Sequence, residues 1–195
     1  TITDKPMDVF GENWIDHHKK IKADWLQKVS DDDVVLLPGD LSWGLNLEEA
    51  TTDLCFIDSL PGTKVLIKGN HDYWWSSISR LRAYLPQGML ALQNDSITFS
   101  DVVICGTRGW TFPTEGSPLD AQEMKIYRRE LIRLEMTLTN AAAKQLPILA
   151  MTHFPPLLID YQDTEFTALL EAFSVQLCVY GHLHGQSVQR GFSGS

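Results

Sequence analysis

The 195-residue sequence predicts an α/β fold on three observations. Short apolar runs alternate with stretches of helical periodicity, the rhythm of strands joined by helical crossovers. Several of those runs stop at a glycine or proline followed by a polar residue. The hydrophobic share, 44%, is enough for a sizeable core at a length that suits one large domain.

Each element can be justified in order. Trp14, His18, Ile21, Trp25 and Val29 recur at helical spacing and predict an amphipathic first helix, closed by SDDD at residues 30–33. VVLLPGD (34–40) reads as a strand running into a turn, residues 47–59 as a helix, and KVLIKGNHD (64–72) as a second strand after a Pro-Gly turn. A short helix is expected at 77–84, a turn around Pro86 and Gly88, and strands at 96–99 and 102–105. TRGWTFPTEGSP (107–118) is rich in turn formers and reads as a long loop of the kind that borders a site. The longest helix is predicted over 120–144, with Tyr127, Leu131, Leu134 and Leu138 as its inward stripe. PILAMTHFPP (147–156) is an apolar run stopped by prolines, residues 164–173 read as a helix, and VQLCVYGHLHG (175–185) is the last strand. No internal repeat, low-complexity tract or linker interrupts the pattern.

Charge and cysteine content narrow the function classes. Sixteen basic residues against 25 acidic ones give a formal net charge of −9, which disfavours nucleic acid and favours a small phosphate ester, provided metal ions supply positive charge. Cys55, Cys105 and Cys178 sit in apolar surroundings without CxxC spacing and read as reduced core thiols. No apolar run approaches the roughly 20 residues that span a bilayer, and no signal peptide is visible, so the expectation is a cytoplasmic protein with no membrane partner.

Four apolar runs end in residues of metal-ligand type: Asp40 after VVLLPG, Asn70 and His71 after KVLIKG, His153 after PILAMT, and His182 with His184 after LCVYG. In open α/β sheets the C-terminal ends of strands converge on one crevice, so ligands from distant parts of the chain can meet. Gly39, Gly69 and Gly181 permit sharp exits from three of these runs. Aspartate, asparagine and histidine together suit Mn, Fe, Zn or Ni better than calcium. His182 and His184 would face the same side of an extended backbone, one for each of two adjacent metals.

PGD, GNHD, THFPP and GHLH, in this order over residues 34–185, resemble the motifs of the calcineurin-like metallophosphoesterase superfamily. The resemblance implies a four-layer α/β/β/α sandwich of two mixed β-sheets flanked by helices. It implies two divalent transition-metal ions and hydrolysis of a phosphate monoester or diester by a metal-bridging hydroxide. Asp40 would bridge the metals, Asn70, His153 and His182 would complete one site, and His184 would serve the other together with an N-terminal DxH motif. Relatives carry that DxH at the end of a first strand, and no apolar strand precedes the first helix here, so the motif and its strand are expected before Thr1. GDLSW stands where many relatives carry GDxxD. The resemblance places His71 beside the leaving group as general acid or phosphate contact, with Asp72 fixing its tautomer and orientation. The rival expectation is a non-catalytic scaffold of the same fold that binds protein partners.

Other residues read more quietly. His17 and His18 are expected to be helix residues. Trp43, Trp74, Trp75 and Trp110 either wall the pocket, stack on a base, or pack beneath loops. Arg108 is a candidate contact to a substrate phosphate, with a surface salt bridge as the competing reading. Arg128, Arg129 and Arg133, alternating with Glu130 and Glu135, suggest a solvated helix face.

Overall fold

A parallel three-stranded sheet, order β1-β2-β3, organises the first part of the chain in a computed structural model that describes residues 11–113, 117–157 and 162–183. Its strands are β1 (Val34–Leu37), β2 (Thr63–Leu66) and β3 (Met89–Ala91). Helix α2 (Leu47–Asp58) connects β1 to β2, and α3 (Ile78–Tyr84) connects β2 to β3. Asn46 starts α2 by accepting the Glu49 backbone N–H, while Leu47, Ala50 and Leu54 face inward. They pack with Leu66, Trp74, Trp75, Leu81, Met89 and Ala91 into one core. Lys64, only 2% exposed, sends its ammonium to the carbonyls of Asp58 and Leu60 where α2 ends. A cation there complements the negative end of the helix.

The second sheet has order β4-β5-β6-β7: β4 (Ser96–Phe99), β5 (Val102–Thr107), β6 (Ile148–Thr152) and β7 (Leu177–Tyr180). β4 runs antiparallel to β5, whereas β5, β6 and β7 are mutually parallel, so this sheet is mixed and the first is not. Helix α4 (Ala121–Ala142) opens with a capping box of Asp120 and Glu123, and α5 (Glu165–Ala172) with one of Thr164 and Thr167. Tyr127, Leu134, Leu138 and Ala141 of α4 join Phe166 and Leu170 of α5 over Val103, Cys105, Ile148 and Ala150. Backbone contacts divide the chain into two compact units: the residues through Leu66 with Asn70–Ala91, and Ile67–Gly69 with the chain from Leu92 onward.

The expected α/β class with two sheets flanked by helices is what the structure has. Two elements and one cysteine differ from expectation, Cys55 being exposed on α2 rather than in the core. β3 was not foreseen, because three residues are too few to show a period. The first helix, α1 (His17–Lys28), forms as expected, but none of its residues is buried; Ile21 and Leu26 are largely exposed. One tie to its unit is the Trp25 indole N–H, which donates to the Pro61 carbonyl at 3.0 Å. Among the described residues no helix is long and apolar enough to cross a membrane.

Candidate metal centre and catalytic residues

In the first unit the donors gather at the C-terminal edge of the parallel sheet. β1 ends at Leu37, and Pro38 and Gly39 turn the chain so that Asp40 follows within three residues. Gly39 has φ 98° and Asp40 φ 59°. The first is glycine territory, and the second is uncommon for a residue with a side chain. Surrounding bonds hold this conformation. Asp72, with no exposed surface, accepts the backbone N–H of Asp40 at 2.8 Å, of Leu41 at 2.8 Å and the Trp74 indole N–H at 2.9 Å. In return Asp40 Oδ1 accepts the His71 backbone N–H at 2.8 Å. The two loops after β1 and β2 are thus bonded reciprocally by two aspartates, which fixes Asp40 next to the loop carrying Asn70 and His71.

Asp72 bonds the Asp40 loop and the Trp74 indole. His71 Nδ1 is buried and has no hydrogen-bond partner, so no carboxylate sets the tautomer through that atom. The chain turns tightly here, the Tyr73 N–H donating to the His71 carbonyl at 2.8 Å, and Asp72 is fully buried while His71 faces Trp43 at 4.4 Å between ring centroids. Asp72 is a clamp on the Asp40 loop. Trp74 and Trp75, 1% and 6% exposed, belong to the core.

The second unit collects its candidates by strand register. Thr107 of β5 pairs with Thr152 of β6, and Thr152 with Tyr180 of β7. The next residues, Arg108, His153 and Gly181, therefore leave three adjacent parallel strands at one edge. Their backbones are bonded there: His153 and Phe154 both donate N–H to the Arg108 carbonyl at 3.0 Å, and Gly181 donates to the His153 carbonyl at 3.2 Å. His182 follows with φ 69°, a second left-handed residue at a candidate ligand. Its Nδ1 lies 3.2 Å from Nε2 of His153, which is fully buried. Phe154 packs against both imidazoles, with ring centroids 5.2 Å from His153 and 4.4 Å from His182. At that separation one ring donates to the other, or both nitrogens address a shared cation. Imidazole pairs of this kind suit a divalent transition metal. His184 lies outside the described residues.

Arg108 reaches Glu130 rather than open solvent. Glu130 on α4 has no exposed surface; it accepts from Thr107 Oγ1 at 3.3 Å, Arg108 at 3.3 Å and Arg133 at 2.6 Å. The Arg108 guanidinium also stacks over Trp110 at 4.7 Å. Burial lowers the Arg108 pKa, and the Glu130 carboxylate opposes the shift. The expectation of a solvated face at residues 128–135 therefore fails at Glu130. The signal was present in the sequence, since Glu130 lies three after Tyr127 and four before Leu134 on the same inward stripe.

Carboxylate, amide and imidazole donors placed just beyond the strand ends of a mixed α/β chain are an arrangement that suits a metal-dependent hydrolase. The family follows from the sequence model of the calcineurin-like phosphoesterases, which matches residues 12–186: this chain is a member of that family, and hence of the metal-dependent phosphoesterases. Among curated proteins, none matches it.

Proposed function

We propose that the protein hydrolyses a phosphate monoester or diester with two divalent transition-metal ions, and that its substrate is a small molecule rather than nucleic acid. The observation that carries this reading is the approach of His153 and His182 to 3.2 Å in a member of this family. Asp40, Asn70, His153 and His182 would hold one ion, and Asp40 and His184 would contribute to the second. When bound, the ions supply positive charge to the phosphoryl oxygens and a water made nucleophilic at neutral pH.

The remaining roles fall to the chain. Arg108, held by Glu130 and Trp110, adds a fixed positive charge toward the phosphoryl group. His71 donates a proton to the leaving oxygen or binds phosphate. Its Nδ1 is shut away from solvent, so Nε2 is the nitrogen for that task. Asp72 holds the Asp40 backbone, and Asp40 in turn holds the His71 backbone N–H, which keeps the two loops in register. The acidic balance of the chain makes a polyanionic nucleic acid a poor partner.

The test is hydrolysis of p-nitrophenyl phosphate and bis-p-nitrophenyl phosphate by protein loaded in turn with Mn, Fe, Ni or Zn. Turnover with at least one metal is expected. His153→Ala should reduce it by about a hundredfold or more and weaken metal binding measured by calorimetry. No turnover with any metal, together with partner capture that survives chelation, would establish the scaffold instead.

A further inference from the structure

We infer that Arg108, Trp110 and Arg133, gathered around the buried carboxylate of Glu130, form an oxyanion subsite that binds phosphate through protein groups alone, without a metal. The inference deepens the phosphoesterase reading and rests on it for the identity of the anion. Its first support is a charge imbalance. Arg108 Nη2 and Arg133 Nη1 both donate to the same oxygen, Oε1 of Glu130, at 3.3 and 2.6 Å, while Oε2 accepts from Thr107. Two guanidinium charges thus share one carboxylate, and among the described residues no second carboxylate pairs with either. One positive charge is left in excess beside a group with no exposed surface. A partly buried charge of that kind is unfavourable until a counter-charge joins it. Burial lowers the Arg108 pKa, and against the opposing Glu130 charge the nearby Arg133 and Arg129 lower it further, a repulsion that a bound anion relieves.

The second support is a pair of unused donors. Arg108 Nε and Trp110 Nε1 are both buried and have no hydrogen-bond partner among the described residues. Buried polar groups are nearly always paired, so two orphans in one stack point to a ligand that pairs them. The stack is close, with the guanidinium carbon 4.7 Å from the Trp110 ring centroid. Gly109, at φ 71°, makes the left-handed turn between the two residues. The Arg108 and Arg133 side chains stay 20% and 35% exposed, so the donors lie just below the surface. Trp110 packs on Phe154 at 5.4 Å between ring centroids, and Phe154 packs on His153 and His182, so the subsite borders the imidazole pair. Guanidinium and indole groups donate and never accept, which selects an anion with several oxygens. The phosphate of the ester and free phosphate share that chemistry.

Calorimetric titration of inorganic phosphate into the full chain tests the subsite, first after chelation and then with Mn bound. The chelated chain should bind phosphate. Trp110→Phe keeps the ring and removes the N–H, and Arg133→Ala removes the excess charge; each should raise the phosphate Kd by about fivefold or more in protein whose circular dichroism is unchanged. Glu130→Gln keeps an acceptor oxygen and removes the opposing charge, so it should lower that Kd by about threefold or more, whereas loss of a merely structural contact would raise it. With Mn and p-nitrophenyl phosphate, added phosphate distinguishes the two sources of the anion. Inhibition that raises KM and weakens in Trp110→Phe assigns the subsite to the ester's own phosphate; inhibition that lowers kcat and weakens in the same variant assigns it to free phosphate. A chelated chain that does not bind phosphate, or a Kd that Arg133→Ala and Glu130→Gln shift in the same direction or not at all, overturns the subsite and leaves the phosphoesterase reading standing. Phosphate binding with the expected shifts, but no turnover of any ester, overturns the phosphoesterase reading and supports the subsite.

Discussion

Asp72 shows how one side chain can determine the geometry of others without touching substrate. Its carboxylate is fully buried and satisfies the Asp40 and Leu41 N–H groups and the Trp74 indole at 2.8–2.9 Å. Hydrogen bonds to a buried charge are stronger than neutral ones, and removing the acceptor strands every donor it served. Asp72→Ala should therefore cost about 3 kcal/mol in urea unfolding. It should also weaken metal binding in calorimetry, because the left-handed Asp40 loses the bond that holds its backbone. Asp72→Asn keeps one acceptor oxygen and should lie between the two. An alanine variant of native stability and native metal affinity would refute the clamp. The motif GNHD was legible in the sequence, but the direction of its last residue was not, since that depends on which loop the β2 turn meets.

At the level of elements, strand register explains how candidate residues far apart in the sequence come to one edge. Arg108, His153 and Gly181 follow paired residues of three adjacent parallel strands, so any α/β sheet with those runs in that order brings them to one edge. Helix facing was less readable. α4 was expected to bury its leucines, and it does bury Leu134 and Leu138, but Glu130 and Thr137 share the inward stripe. A charge on that stripe becomes plausible only when its partners are known, and Thr107 and Arg108 arrive from β5, more than twenty residues earlier. α1 is the opposite case, a periodic stripe without a buried residue. The Glu130 network yields a prediction for the contact between α4 and β5. Removing one partner of a buried ion pair leaves the others uncompensated, so Glu130→Ala should cost about 3 kcal/mol. Glu130→Gln, which keeps the acceptor oxygen, should recover part of that loss. Urea denaturation of the two variants checks the order, and equal stability of both with the parent would show that the network does not hold α4 to β5.

For the molecule as a whole, the α/β class came from local patterns, whereas the buried polar groups depend on packing that no local pattern encodes. Those buried groups set a limit on stability in alkali. Burial in the apolar core of the second unit pushes the Cys105 thiol up to about 12 and the Cys178 thiol up to about 11, from an ordinary value of 9.0. Tyr127 is also raised, by burial first and then by its hydrogen bond to Glu165 at 2.6 Å. In each case the folded chain keeps a proton that the unfolded chain gives up. Stability therefore falls as pH rises wherever the unfolded state binds fewer protons. Below about pH 9 both states hold these protons and the thiols contribute no slope. From there to about pH 12, Cys105 alone lowers unfolding free energy by up to about 1.4 kcal/mol per pH unit. Thermal midpoints measured by calorimetry from pH 7 to 11 should be level at first and then decline from about pH 9. The Cys105→Ala, Cys178→Ala double variant should start from a lower midpoint, because it leaves cavities, yet decline less steeply. If the double variant and the parent decline with the same slope above pH 9, the buried thiols are not the origin of the alkaline limit.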